Sequence, residues 1–200
     1  MVTVLIDGLI LCGGQAQRMG GQDKGLIQLK QRALYEHCIE RLAPQVGALM
    51  LNANRNQDRY ALSKLPVYAD THLDFSGPLA GFHVGLSHCK APYLAIVPCD
   101  SPVFPLDLVE RLMIGLQANH ADVSYAVTKN AQDQRQNQSV FCLMKNSLKD
   151  HLSHFLDQGE RKIDRWFHQL KYVEVLFPDA SAFTNINTPE DLLKIESLLP

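Results

Sequence analysis

The 200-residue sequence predicts an α/β fold, three layers deep, with a mostly parallel sheet covered by helices on both faces. Two observations carry this expectation. Short apolar runs alternate with stretches whose apolar residues recur at helical spacing. And no repeat, low-complexity segment or linker rich in Gly, Ser or Pro interrupts that alternation, so residues 1–200 are read as one domain.

The elements follow in order. "VLIDGLILC" (4–12) reads as the first strand. "ALYEHCIERLAPQ" (33–45) is a helix that stops at Pro44. "VGALMLNANR" (46–55) is a second strand and "PVYAD" (66–70) a short third. "GPLAGFHVGLSHC" (77–89) is a helix that starts near Pro78. "PYLAIVPCD" (92–100) is a buried strand ending on an acid. "PLDLVERLMIGLQ" (105–117) is a helix with Pro105 near its first turn, and "ADVSYAVT" (121–128) another strand. "KNAQDQRQNQ" (129–138) reads as a polar loop, "SVFCLMK" (139–145) as a strand, and "SLKDHLSHFLDQG" (147–159) as a helix ending near Gly159. "TPEDLLKIESLL" (188–199) carries a capping pattern at Thr188 and Asp191.

Composition excludes several classes. Apolar content is 46%, charged content 20% and net charge −2, with no basic block. A nucleic-acid coat and a polybasic membrane anchor are not expected from such a balance. No secretory signal is read in "MVTVLIDGLI", and runs such as "YLAIV" are far shorter than the ~20 residues of a spanning helix. Five cysteines without a C-x-x-C are expected to be reduced thiols of a cytoplasmic protein.

"LCGGQAQRMGGQDKGLI" (11–27) poses the functional question. It follows the first strand, and ligands of open parallel sheets gather beyond the carboxyl ends of strands. Glycines let backbone N–H groups approach phosphate oxygens, while Arg18 and Lys24 add charge-assisted hydrogen bonds. The stretch therefore reads as a polyphosphate cradle. It is neither a P-loop nor a G-x-G-x-x-G site, because Lys24 is followed by Gly25 and the glycines are spaced otherwise. A glycine-rich surface turn with incidental cations is the plainer alternative.

"GGQAQRMGGQDKGL" resembles the first motif of the nucleotidyltransferases with a Rossmann-like fold, at Gly13, Gly14, Arg18, Met19, Gly20, Asp23 and Lys24. The doubled glycine at Gly20 and Gly21 is similar to one branch, the molybdenum cofactor guanylyltransferases. "LNANR" (51–55), Asp70, "GPLAG" (77–81), "PCDSP" (98–102), "GER" (159–161) and "NINTPEDL" (185–192) resemble segments of that branch in the same order. The resemblance implies transfer of GMP from GTP to the terminal phosphate of molybdopterin, with release of pyrophosphate. It implies Mg²⁺, GTP and molybdopterin as ligands. The implied partners are proteins that deliver molybdopterin and apo-molybdoenzymes or their chaperones that receive the product.

A phosphate monoester is already an anionic nucleophile, so the chemistry needs positioning and cations rather than a strong base. Arg18, Lys24 and Asp100 are the expected catalytic groups, with Asp100 as the Mg²⁺ ligand at the end of a buried strand. By resemblance, Leu11, Cys12, Gly13, Lys24, Asn52, Asp70 and Asp100 form the nucleotide site. Cys12 stands where the family usually has alanine, which puts a thiol near the site and raises the prospect of oxidation sensitivity. Asn52 and Asp70 are also ordinary turn formers. Asn185, Asn187, Thr188 and Pro189 match the motif of the molybdopterin half, although Asn187 is equally a residue preceding a helix cap. Arg161 and Lys162 meet either the pterin phosphate, the delivering protein or solvent. Asn137 and Gln138 replace the family's usual His-Pro, which bears on acceptor recognition. His151 and His154 are read as a solvated helix face, and Trp166 with Phe167 as packing.

Two other functions compete with this reading. One is a CTP- or UTP-dependent transferase acting on another phosphate acceptor. The other is a nucleotide- or cofactor-binding adaptor without turnover.

Overall fold

The computed structural model describes residues 6–13, 15–16, 22–71 and 77–196. The chain opens with β1 (Ile6–Leu11) and two short antiparallel pairs. These are β2 (Gln15–Ala16) with β3 (Gln22–Asp23), and β4 (Gln28–Leu29) with β5 (Arg32–Ala33). Then come α1 (Leu34–Leu42), β6 (Ala48–Asn52), α2 (Gln57–Tyr60), β7 (Val67–Tyr68), α3 (Pro78–His88), β8 (Tyr93–Pro98) and α4 (Leu108–Ala118). The remaining elements are β9 (Val123–Lys129), β10 (Arg135–Lys145), α5 (Lys149–Asp157), α6 (Ile163–Phe167), β11 (Tyr172–Leu176) and α7 (Pro189–Glu196).

Seven strands form one sheet in the order β11-β9-β10-β8-β1-β6-β7. Among the described strands of this sheet only β10 runs antiparallel to both its neighbours; β1 is parallel to both β6 and β8. This is the expected mostly parallel sheet. β1 is central and every residue of it is buried, as expected of a strand covered on both faces. Its side chains alternate between two cores. Ile6 and Ile10 pack with Cys38, Leu42, Val97 and Leu112 on the α1/α4 side. Leu9 and Leu11 pack with Phe82, Leu86, Ile96 and Trp166 on the α3/α5/α6 side. The three layers thus follow from a period of two in the strand and helices that each offer one apolar stripe.

Local signals account for the element ends. α1 buries Leu34, Tyr35, Cys38 and Leu42, and its N-terminus is capped by Glu36, which accepts from the Ala33 N–H at 2.7 Å. In α7 the Asp191 N–H donates to the Thr188 hydroxyl at 3.2 Å, and the Asp191 carboxylate accepts from Asn187 N–H at 3.1 Å and Thr188 N–H at 3.0 Å. That is the predicted capping box.

Three expectations are corrected. The helix read from residue 105 starts later, at Leu108 after Asp107, with Pro105 just before it. The polar stretch 129–138 is only partly loop: β9 runs to Lys129, and β10 already starts at Arg135 and pairs Gln136 with Thr128. The polar side chains there are mostly exposed on the outer half of a hairpin, so the ladder forms without apolar alternation. Residues 172–176, to which the pattern assigns no element, form β11, a half-exposed edge strand parallel to β9.

Candidate active site

The carboxyl ends of β1, β6 and β8 meet at one rim of the sheet, and their continuations are tied together by main-chain bonds. Cys12 N–H donates to the Asn52 carbonyl at 2.8 Å, and Cys99 N–H to the Leu11 carbonyl at 3.0 Å. Above this rim lies a cleft of about 370 Å³. Its walls include Leu11, Gly13, Asn52, Asp70 and Asp100, five of the positions singled out from the sequence. Adjacent strand ends bring them together, as the parallel topology requires.

Lys24 projects from a short turn, Lys24–Leu26. Its ammonium lies 3.0 Å from Asp100 Oδ2 and donates to Asn187 Oδ1 at 2.5 Å. Both members of the ion pair are more than four-fifths buried at their side chains, so the pair is shielded from solvent. Asp100 Oδ1 also lies 3.4 Å from Ser101 Oγ. The single Ser101 hydroxyl proton goes to Asn185 Oδ1 at 2.5 Å, and Ile186 N–H donates to the Asp100 carbonyl at 2.8 Å. Ile186 and Ile195 are buried against Ile27, Leu29, Leu34 and Val103. The C-terminal segment is therefore latched onto both the Asp100 turn and the Lys24 turn. Asn187 meets Lys24 through its side chain and the α7 cap through its N–H, which is the cap-flanking place read from the sequence.

On the other wall, Asn52 is the last residue of β6 and is buried. Its amide donates to Asp70 Oδ1 at 2.9 Å and to the Tyr68 carbonyl at 3.2 Å. Asn54 donates to Asp70 Oδ2 at 2.7 Å and accepts from the Asp70 N–H at 2.7 Å. Asp70 is thus held by neutral amides. Gly81 faces this wall from α3: a Cβ there would stand 2.5 Å from Asn52 Oδ1 and 2.6 Å from Leu11 Cδ2. Only glycine lets the helix approach so closely.

Arg18 lies outside the described residues, as do Gly14, Met19, Gly20 and Gly21. Cys12 is not on the cleft surface; it is buried, and burial above all pushes its thiol well above the usual cysteine range. That overturns the expectation of an oxidation-sensitive thiol, because the reactive species is the exposed thiolate. Arg161 donates to the carbonyls of Leu156 at 2.8 Å and Glu160 at 2.6 Å, tying down the end of α5. His151 is not simply solvated: its Nδ1 accepts from the indole N–H of buried Trp166 at 3.0 Å. Trp166 and Phe167 pack in the core, as expected.

Asn54 and Gly77 line the cleft from within the segments "LNANR" and "GPLAG", which the sequence singles out without giving these two a role; sequence reasoning missed Val140 altogether. Val140 arrives there through an irregularity in the β9–β10 ladder between Gln138 and Cys142, a feature with no local sequence signal. Among the described residues no group of three or more His, Cys, Asp or Glu side chains could hold a metal. A single carboxylate at a phosphate site still fits Mg²⁺, which completes its octahedron with phosphate oxygens and water. Nor is any described helix long and apolar enough to cross a membrane.

The geometry has clear relatives. The family model described as the MobA-like NTP transferase domain matches residues 8–174. A protein of Polynucleobacter asymbioticus named molybdenum cofactor guanylyltransferase is 52% identical over 194 residues, 97% of each chain. The solved structure of molybdopterin-guanine dinucleotide biosynthesis protein A from Archaeoglobus fulgidus is similar in fold. Its TM-score is 0.75 at 23% identity, covering 96% of this chain and 97% of that one. The 4-diphosphocytidyl-2C-methyl-D-erythritol synthase of Anaerococcus prevotii shares the fold as well, with a TM-score of 0.77 at 11% identity over 98% and 96% of the chains.

Proposed function

The chain belongs to the MobA-like NTP transferase family, and on that premise we propose that it transfers the GMP moiety of GTP to the terminal phosphate of molybdopterin. Pyrophosphate is the other product, and the guanine dinucleotide form of the cofactor is made. A phosphate oxygen of molybdopterin attacks the α-phosphorus of GTP, a new P–O bond forms, and the bond to the bridging α–β oxygen breaks with its electrons leaving on pyrophosphate. The full-length identity to a relative of that name carries the reaction. The buried Lys24–Asp100 pair, of which Asp100 lines the cleft, supports the assignment of residues.

The chemistry asks little of a base and much of cations. Lys24 binds the triphosphate and offsets charge that grows on the leaving pyrophosphate. In the free protein its ammonium is neutralised by Asp100, so it is held ready without leaving a charge unpaired. Asp100 is the residue that would hold Mg²⁺. The ion, when bound, supplies Lewis acidity at the phosphate oxygens. Arg18 is assigned to the same phosphates by motif. Leu11, Cys12 and Gly13 contribute backbone, and Asn52 and Asp70 hold the nucleoside end, where guanine's N1–H and N2 amino group need acceptors. The five buried, unpaired cysteines support a reducing, cytoplasmic setting.

Calorimetric titration with GTP, CTP and ATP, each with Mg²⁺ at one salt concentration, tests the nucleotide. Preference for GTP is expected. Preference for CTP would move the chain to another branch of transferases on the same fold.

A further inference from the structure

Tyr60 is absent from the cleft walls and fully buried, yet it is bonded to the segment that carries Lys24. Its hydroxyl donates to Asp23 Oδ1 at 2.5 Å. The second carboxylate oxygen, Asp23 Oδ2, accepts from Asn56 Nδ2 at 3.1 Å. Asn56 adopts a left-handed conformation, φ 49°, immediately before α2, and its carbonyl accepts from the N–H groups of Arg59 at 3.0 Å and Tyr60 at 3.3 Å. One residue thus starts the helix that carries Tyr60 and bonds the acid that Tyr60 grips. The phenol ring is fixed from its other side by Tyr35, edge-on at 4.9 Å between centroids.

Gly25 completes the arrangement. A Cβ at that position would collide with the Tyr60 hydroxyl, so the turn can lie on the phenol only with glycine there. Lys24 sits between these two contacts. Its neighbour on one side is tied through its side chain, and its neighbour on the other side rests against the same phenol. Burial above all raises the Tyr60 pKa, which keeps the phenol protonated and a donor.

We propose that Tyr60 is a positioning residue: its bond to Asp23 fixes the backbone from which Lys24 reaches the triphosphate. The proposal rests on the reading of Lys24 as a triphosphate contact. It makes GTP affinity depend on a hydroxyl outside the cleft, and only through Lys24. A long, flexible lysine side chain gains from a fixed base because less motion is frozen when the ligand binds.

The test is a double-mutant cycle on the full chain, read by calorimetric binding of Mg·GTP and of guanosine. Tyr60→Phe deletes one hydroxyl and leaves the ring on Tyr35. It should weaken GTP roughly tenfold while guanosine stays within about twofold, since a hydrogen bond to a charged acceptor is at stake. In a Lys24→Ala background the same substitution should change GTP affinity by less than about twofold, because the two residues act through one path. Equal weakening of GTP in both backgrounds, equal weakening of GTP and guanosine, or no weakening by Tyr60→Phe would each overturn the proposal. Should Tyr60→Phe lower the unfolding midpoint too far for binding work, Asp23→Ala removes the same bond from the half-exposed side, with the same pattern expected. If Lys24→Ala itself binds GTP like the unaltered chain, the reading of Lys24 fails and takes the proposal with it. That result differs from an inert Tyr60→Phe beside a damaging Lys24→Ala.

Discussion

The Lys24 ammonium donates to Asn187 Oδ1 at 2.5 Å across 163 positions of sequence, and the same nitrogen pairs with Asp100 at 3.0 Å. The first motif of the chain and its last one therefore share a single cation. The link exists because Ile186 and Ile195 are buried with Ile27 and Leu29, just beyond the Lys24 turn, so docking of α7 is what delivers Asn187. Docking of the C-terminal segment and the placing of the Lys24–Asp100 pair are in this way coupled.

Asp100→Asn separates the two roles of the acid. Molybdopterin-dependent pyrophosphate release should fall by about a hundredfold or more, as for loss of a principal electrostatic group. Binding of GTP without Mg²⁺ should instead tighten a few-fold, because a carboxylate beside the phosphates becomes neutral. Turnover near that of the unaltered chain would remove Asp100 from the metal role.

Gly81→Ala places a methyl group where Asn52 Oδ1 and Leu11 Cδ2 already stand. Overpacking of this kind costs about 1–3 kcal/mol. The movement it forces should break the Asn52–Asp70 bond and weaken GTP binding, with a smaller effect on turnover at saturating GTP. Calorimetry together with thermal unfolding checks both parts; unchanged affinity would show that this wall does not hold the nucleotide.

The α7 cap makes stability depend on acid pH. Backbone N–H bonds, that of Asn187 first, lower the Asp191 pKa. A depressed folded pKa stabilises above the unfolded carboxylate value of about 3.9, and that contribution is lost as pH falls through the lower folded value. Asp191→Ala should cost about 0.5–1 kcal/mol at neutral pH, small because the group is near solvent, and the difference should close below about pH 4. Urea unfolding at a series of pH values reads this; a gap that widens in acid would contradict it.

The thiols should be inert in the folded chain. All five cysteines are buried, and burial pushes those of Cys12, Cys38 and Cys142 far up and that of Cys89 up to about 12. An aromatic disulfide reagent at neutral pH should label none until denaturant is added. Rapid labelling of Cys12 would restore the reactive thiol expected from its position.

Much of this site is legible in the sequence because a parallel sheet turns local order into proximity. Leu11, Asn52 and Asp100 are far apart in the chain, yet each ends or follows a run that pattern alone marks as a strand, and such ends share one rim. Contacts that depend on tertiary docking are not legible. Nothing in "NINTPEDL" announces that Asn187 meets Lys24, since the N–H groups that mark the cap say nothing of where the side chain goes. Tyr60 ends a four-residue helix to which the pattern assigns no element, and Val140 reaches the cleft through a ladder irregularity. β11 escapes because a half-exposed edge strand has a weak apolar pattern.

Pyrophosphate release from GTP and from CTP, measured side by side with and without molybdopterin in the presence of Mg²⁺, is the most direct measurement. Guanylyl transfer requires release from GTP only when molybdopterin is present, with formation of the guanine dinucleotide and little reaction with CTP. Binding of GTP with no pyrophosphate released in the presence of molybdopterin, or a faster reaction with CTP, would contradict it.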